Sequence, residues 1–239
     1  MLQQTQVQRV TPRFREFVER WPTATTFAAE PLGEVLRAWQ GLGYPRRARY
    51  LHLAAQRIVD DHGGVVPDTI DELLRLPGVG AYTARAVLAF AFERDVGVVD
   101  TNIARVLARV EGGRLTRAVA QRVADGAVPQ GRSWWWNQSL MELGAVLCRP
   151  APRCQECPVA RSCRWSRSGR RPPDPAVGSA GVSKPQRRFE GSRRQQRGAV
   201  MRSVADGPQS VADFDRSIVD ELHADGLIQL DGDAIRLPS

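Results

Sequence analysis

Apolar side chains recur every three or four residues through most of positions 3–164, the spacing of helices that bury one face. Val7, Val10, Phe14, Phe17 and Val18 predict a first helix, and Pro31 stands where another begins, ahead of Val35, Leu36 and Trp39. A third helix is expected over 46–62, closed by Gly63-Gly64. Asp68, with Asp71 three residues later, reads as the N-cap of a helix carrying Ile70, Leu73 and Leu74. Pro77-Gly78-Val79-Gly80 breaks the pattern, after which helices are expected over 81–92, 101–110, 116–124 and 134–147. Strand signals are scarce before residue 226, so the fold class expected is all-α. In the tail, Val211, Phe214, Ile218, Val219 and Leu222 fit a helix. Residues 227–230 and 234–237 then read as two strands around Asp231-Gly232, together a small winged-helix-like tail.

Composition narrows the partners. The 239 residues carry 34 basic and 26 acidic side chains, a formal charge of +8. A cationic surface attracts polyanions and releases their counterions, so nucleic acid becomes a candidate that charge alone leaves open. The basic residues are arginines save one, Lys184, which lies in a Pro-, Gly- and Ser-rich stretch. Residues 166–202, dense in arginine and proline, read as a flexible basic linker. The sequence carries no apolar run of membrane-spanning length and begins without a secretory signal pattern, so a cytoplasmic, nucleoid-associated place is expected.

Three segments could carry chemistry. Leu76-Pro77-Gly78-Val79-Gly80 lies between helices, where glycines allow a tight turn and bring phosphate close to helix N-terminal N–H groups. Taken by itself it is a turn. Twenty residues after Gly80, Val98-Val99 deliver Asp100 to the start of the next helix, and on this segment alone Asp100 is an N-cap. The four cysteines, Cys148, Cys154, Cys157 and Cys163, form a compact ligand set. Their spacing leaves a Cys₄ zinc site and an iron–sulfur cluster open alike.

Hairpin, helix and aspartate in that order resemble the helix-hairpin-helix DNA glycosylases. Further motifs resemble the MutY-type adenine glycosylases within that superfamily: Met1-Leu2-Gln3-Gln4-Thr5-Gln6-Val7, Gly41-Leu42-Gly43-Tyr44, and Asn137-Gln138 to Gly144. The likeness covers residues 1 to about 163. It implies removal of adenine mispaired with 8-oxoguanine or guanine in double-stranded DNA, by a monomer. It also implies that Asp100 stabilises the sugar cation with Asn102 positioning it. Leu2, Gln3, Gln4 and Tyr44 would then invade the base stack, and Leu76, Gly78, Val79 and Gly80 would grip the backbone. Endonuclease III-type relatives carry a Schiff-base lysine where this chain has Tyr82, which implies a glycosylase without strand-cutting activity. For the cysteines the likeness implies a [4Fe-4S] cluster. The expected division is a helical core over 1–110, a cluster domain over 111–165, the linker over 166–202 and the tail over 203–239.

The sequence departs from the family pattern in three places. Five residues, rather than the usual six, separate Cys148 from Cys154, which bears on cluster stability. The family's catalytic glutamate stands two residues before the position matched by Met1, and the first carboxylate here is Glu16. The expectation is therefore that these 239 residues bind DNA with little excision, whereas an upstream-extended form is active. A C-terminal nudix-like domain is not evident. Phe189-Glu190-Gly191-Ser192 and Arg193-Arg194-Gln195 point instead to a shorter tail. Two alternatives stand beside the leading one: an endonuclease III-like enzyme for oxidised pyrimidines, and a DNA-binding remnant without catalysis.

Overall fold

The computed structural model describes residues 1–2, 5–182 and 188–239. In chain order the helices are α1 (Val7–Arg20), α2 (Ala24–Ala28), α3 (Leu32–Ala38), α4 (Arg46–His62), α5 (Ile70–Arg75), α6 (Ala81–Phe90), α7 (Thr101–Glu111), α8 (Arg117–Ala127), α9 (Ser133–Val146), α10 (Arg164–Arg167), α11 (Arg193–Asp206) and α12 (Arg216–Ala224). Three short strands, β1 (Gln209–Ser210), β2 (Gln229–Asp231) and β3 (Ala234–Arg236), form one antiparallel sheet in the order β1-β3-β2. Among the described residues no helix is long and apolar enough to cross a membrane.

The helix boundaries follow local chemistry. Gly63 ends α4 in the left-handed conformation, φ 59°, where glycine has no Cβ penalty. Thr23 and Thr26 form a reciprocal capping box at α2, a helix too short for its periodicity to register in sequence. The expected cap at Asp68 is corrected. The Thr69 hydroxyl accepts the Glu72 N–H at 3.4 Å, while the Asp68 carboxylate pairs with Arg94.

The chain divides into two compact units. The first comprises 1–67, 75–78 and 186–239. Its core joins the N-terminal helices to the tail: Phe17, Trp21, Phe27, Val35, Leu36 and Trp39 share one buried cluster with Val200, Val204, Ile218, Leu222 and Ile235. Phe17 meets Trp21 edge-on at 4.8 Å between centroids, and Trp21 meets Phe27 at 5.2 Å, the geometry favoured by aromatic quadrupoles. The tail has the helix and hairpin expected of it, with β1 added. It does not stand alone as 203–239, because its apolar face is buried against α1–α3. Arg197 reinforces this region by pairing with Asp225 at 2.5 Å and Glu221 at 3.2 Å.

The second unit comprises 68–74 and 79–185. Its core is built from Val98, Ile103, Leu107, Ala108, Leu115, Ala120 and Ala124. Helix α7 runs through its centre, buried continuously from Ile103 to Arg109. The linker expected over 166–202 is also corrected. Ala176 and Ser179 are buried, Ala180 donates to the Leu115 carbonyl at 2.9 Å, and Arg193 already begins α11. Small residues and a single acidic partner anchor this segment, features that its arginine and proline content obscures. Lys184 lies outside the described residues.

Candidate active site

The segment before α7 is held from both sides. The Asn137 side chain, buried on α9, accepts the Val98 N–H at 2.8 Å and donates to the Val96 carbonyl at 2.9 Å. That clamp fixes the approach of Asp100. One Asp100 oxygen, Oδ1, accepts the Ile103 N–H at 2.7 Å, so the residue is indeed the N-cap of α7. The other oxygen, Oδ2, accepts the Asn102 amide at 3.1 Å. Cap and candidate catalyst are therefore one side chain, with its two oxygens divided between the two tasks.

Burial raises the Asp100 pKa above the ordinary carboxylate value, opposed by the bonds from Ile103 and Asn102 and by the charge of Arg105. Tyr82, on the first turn of α6, has its phenol pushed up by burial and by the Asp100 charge. The structure thus brings Asp100, Asn102 and Tyr82 into one electrostatic neighbourhood. Gly144 of α9 makes the close packing of α7 possible, because a Cβ there would sit 2.6 Å from the Asn102 Cβ and 2.8 Å from its backbone.

Two arginines absent from the sequence-level reading connect this site to the cysteines. Arg105 donates to the Asn102 side-chain oxygen at 2.8 Å, to the Gly144 carbonyl at 2.7 Å and to the Cys148 carbonyl at 2.6 Å. Arg109, 2 % exposed, donates to the Cys148 sulfur at 3.3 Å and to the carbonyls of Cys148, Arg149 and Pro150. The two arginines carry no signal in sequence: four apart on α7 and on the same side as Thr101 and Asn102, they read as the polar stripe of an amphipathic helix.

All four cysteines are free thiols and line a single cavity with Leu143, Leu147, Arg109 and Trp165. Burial pushes the Cys148 thiol pKa up, against the Arg109 hydrogen bond and charge. Cys163 Sγ accepts the Ser166 N–H at 3.5 Å. Four thiols around one apolar cavity, two receiving hydrogen bonds, fit a thiolate-bound group. Among the described residues no three metal-ligating side chains converge closely enough for a single ion.

In the first unit, Gly41 (φ 86°), Gly43 (φ 71°) and Tyr44 (φ 48°) place three left-handed residues within four positions of the loop before α4. A non-glycine residue in that region is uncommon, and the loop leaves Tyr44 exposed. Arg47 ties this loop to the N-terminus, donating to Met1 O at 2.9 Å, Thr5 Oγ1 at 2.9 Å, Leu42 O at 2.8 Å and Gly43 O at 3.0 Å. Arg194 of α11 donates to the Tyr44 hydroxyl at 3.0 Å. Leu2 is 59 % exposed, and Gln3 and Gln4 lie outside the described residues.

The hairpin forms between α5 and α6. Gly78 is left-handed (φ 74°), and a Cβ there would lie 2.5 Å from the Tyr50 Cβ, so only glycine fits. Val79 is half-buried, while Gly80 caps the exposed start of α6. Leu76 departs from the expectation that it meets DNA. Its side chain is 5 % exposed and anchors the hairpin in the core.

Residues 1–124 match the family model described as HhH-GPD superfamily base excision DNA repair protein. The chain is 40% identical to an adenine DNA glycosylase of Mycolicibacterium smegmatis, over 98% of this chain and 83% of that one. It is 43% identical to an adenine DNA glycosylase of Mycobacterium tuberculosis, over 84% of this chain and 66% of the relative. Among solved structures it resembles a thermostable thymine-DNA glycosylase, with a TM-score of 0.67 and 29% identity over 70% of this chain and 80% of that one.

Proposed function

Because the chain belongs to the HhH-GPD superfamily of base excision DNA repair proteins, we propose that it is an adenine DNA glycosylase. Its substrate is adenine mispaired with 8-oxoguanine or guanine in double-stranded DNA, and it works as a monomer in the nucleoid-associated cytoplasm. The observation that carries this reading is Asp100. It is a partly desolvated carboxylate fixed by Ile103 and Asn102, and its charge reaches the Tyr82 phenol.

The chemistry follows from the charge. Breaking the N-glycosidic bond sends its electron pair to the adenine, which leaves with a proton, and builds positive charge on the deoxyribose. Water then adds at the anomeric carbon and surrenders a proton. Ionised Asp100 stabilises the sugar cation, and a fixed charge in a poorly hydrated site does so far better than one in water. Asn102 holds the free carboxylate oxygen in place. The base must leave the stack first. Tyr44, Leu2, Gln3 and Gln4 serve as the wedge, and the Gly78-Val79-Gly80 turn offers the N–H groups at the start of α6 to a phosphate.

Adenine release from duplexes containing A opposite 8-oxoguanine tests the reading, with C opposite 8-oxoguanine as control. The 239-residue chain and an upstream-extended form are assayed side by side. Release by neither form would remove it. Tyr82 offers no amine, so borohydride is expected to trap no covalent protein–DNA adduct. Efficient trapping through α6 would replace the monofunctional reading with a lyase.

Cys148, Cys154, Cys157 and Cys163 would hold a [4Fe-4S] cluster, which, when bound, orders the 148–163 loop through four iron–thiolate bonds. The protein is accordingly expected to purify brown, with about four irons and four sulfides per chain. Stoichiometric zinc without iron after anaerobic purification would overturn the cluster.

A further inference from the structure

Asp174 lies in the stretch whose composition reads as a linker, yet its carboxylate grips a buried arginine. Oδ2 accepts Arg109 Nη2 at 2.6 Å and Oδ1 accepts Arg109 Nε at 3.1 Å, a two-pronged pair. The Arg109 guanidinium also lies over the Trp165 ring, 4.8 Å from its centroid. With one edge taken by Asp174 and one face by Trp165, its remaining N–H groups are aimed at the Cys148 sulfur and the 148–150 carbonyls.

Asp174 is itself fixed. Oδ1 accepts the Ala176 N–H at 2.9 Å, and Ser179 Oγ donates to Pro175 O at 2.7 Å while accepting the Leu115 N–H at 3.0 Å. Gly181 then packs against α7, where a Cβ would reach 3.0 Å from that of Ala104. Residues 174–181 are thus a strap laid along α7.

We propose that Asp174 is a positioning residue for the cysteine-bound group: it acts through Arg109 to hold the Cys148 thiolate in its ligating geometry. The strap thereby makes the segment after the last cysteine part of the cofactor site. This inference rests on the cluster reading above. A guanidinium is planar and offers several N–H directions, so it directs a hydrogen bond to sulfur only if something fixes its plane. The Asp174 fork does this, and its charge keeps the buried cation paired.

The test uses the iron-loaded 239-residue chain with Asp174→Asn and Asp174→Glu. The first keeps the shape and removes the charge, and the second keeps the charge. Cluster loss is followed by the decay of visible absorbance under an iron chelator, and the cluster's reduction potential is measured on the same samples. Outer-shell partners of metal ligands are typically worth about 10–100-fold, so Asp174→Asn is expected to bleach about 10–100 times faster and to shift the potential. Asp174→Glu should restore most of both. The same half-life and potential in Asp174→Asn as in the wild type would overturn the proposal, as would a fast-bleaching variant of unchanged potential, which marks mere loosening of the fold. If Asp174→Asn does not accumulate folded, hydrogen exchange on wild-type protein decides. Chelator stripping should deprotect residues 174–181 together with 148–163, and a strap that stays protected refutes the coupling. Protein that never carries iron would instead defeat the cluster reading itself, at metal analysis before any variant is compared.

Discussion

In an active form of the enzyme, Asp100→Asn is expected to reduce single-turnover adenine excision by about 10²–10³-fold or more, while leaving affinity for the mispaired duplex close to that of the wild type. The substitution removes charge and little else. Asparagine caps a helix about as well as aspartate, so the bond from the Ile103 N–H persists and α7 starts where it did. The fold should even gain. Burial raises the Asp100 pKa in the folded state, so the native protein binds this proton more tightly than the unfolded chain does. Its contribution to stability is therefore greatest at low pH and is lost as pH rises from the unfolded-state value through the raised folded value. At neutral pH the ionised carboxylate opposes folding, and asparagine removes that opposition. Asp100→Ala separates the two roles, since it also loses the cap and should cost about 0.5–2 kcal/mol. The raised pKa also places the acid limb of the pH–rate profile above that of an ordinary aspartate, because excision needs the charged form. Near-normal excision by Asp100→Asn would leave the residue a helix cap and move the catalytic centre elsewhere.

Arg109→Ala is the second large effect, on the holoprotein rather than on the chemical step. The variant strips the Arg149 and Pro150 carbonyls and the Cys148 sulfur of their donor and leaves Asp174, largely shielded from solvent, without its cation. Removing one member of a buried pair typically costs about 3–5 kcal/mol. Native domains are stable by only about 5–15 kcal/mol, so this is a large fraction. We expect iron content well below one cluster per chain and a melting temperature lower by roughly 10 °C. Arg109→Lys should rescue poorly, since an ammonium cannot fork onto Asp174 and lie over Trp165 in the same way. Wild-type iron content and melting in Arg109→Ala would show that the cysteine loop closes without it.

The parts of the site that were legible in the sequence are those whose residue types are scarce and whose neighbours in space are neighbours in the chain. Asp100 with Asn102, the Gly78-Val79-Gly80 turn, the Gly41–Tyr44 loop and the four cysteines each occupy a short window, and local backbone demands mark them. Arg47, Arg105, Arg109 and Asp174 were not legible. Each is a common charged residue most of whose partners lie 39 to 65 positions away or are backbone carbonyls, and a carbonyl leaves no signature in sequence. Leu76 misled for the converse reason: it belongs to a turn that can bind phosphate, yet its own side chain turns inward.

By itself the sequence determined the helical class, the ends of α4 and α7, the cap at Asp100 and the gathering of four thiols in one short loop. Periodicity, caps and glycine conformations act over one to four residues. Tertiary structure alone decided that the tail shares a core with α1–α3 rather than standing apart. It also made the arginine- and proline-rich segment after the cysteines a strap and drew two arginines of a basic chain inward. Composition counts charges but not their partners, and burying an arginine is tolerable only where carboxylate, carbonyl and sulfur converge to replace water. That convergence arises from packing between distant segments, and no local pattern encodes it.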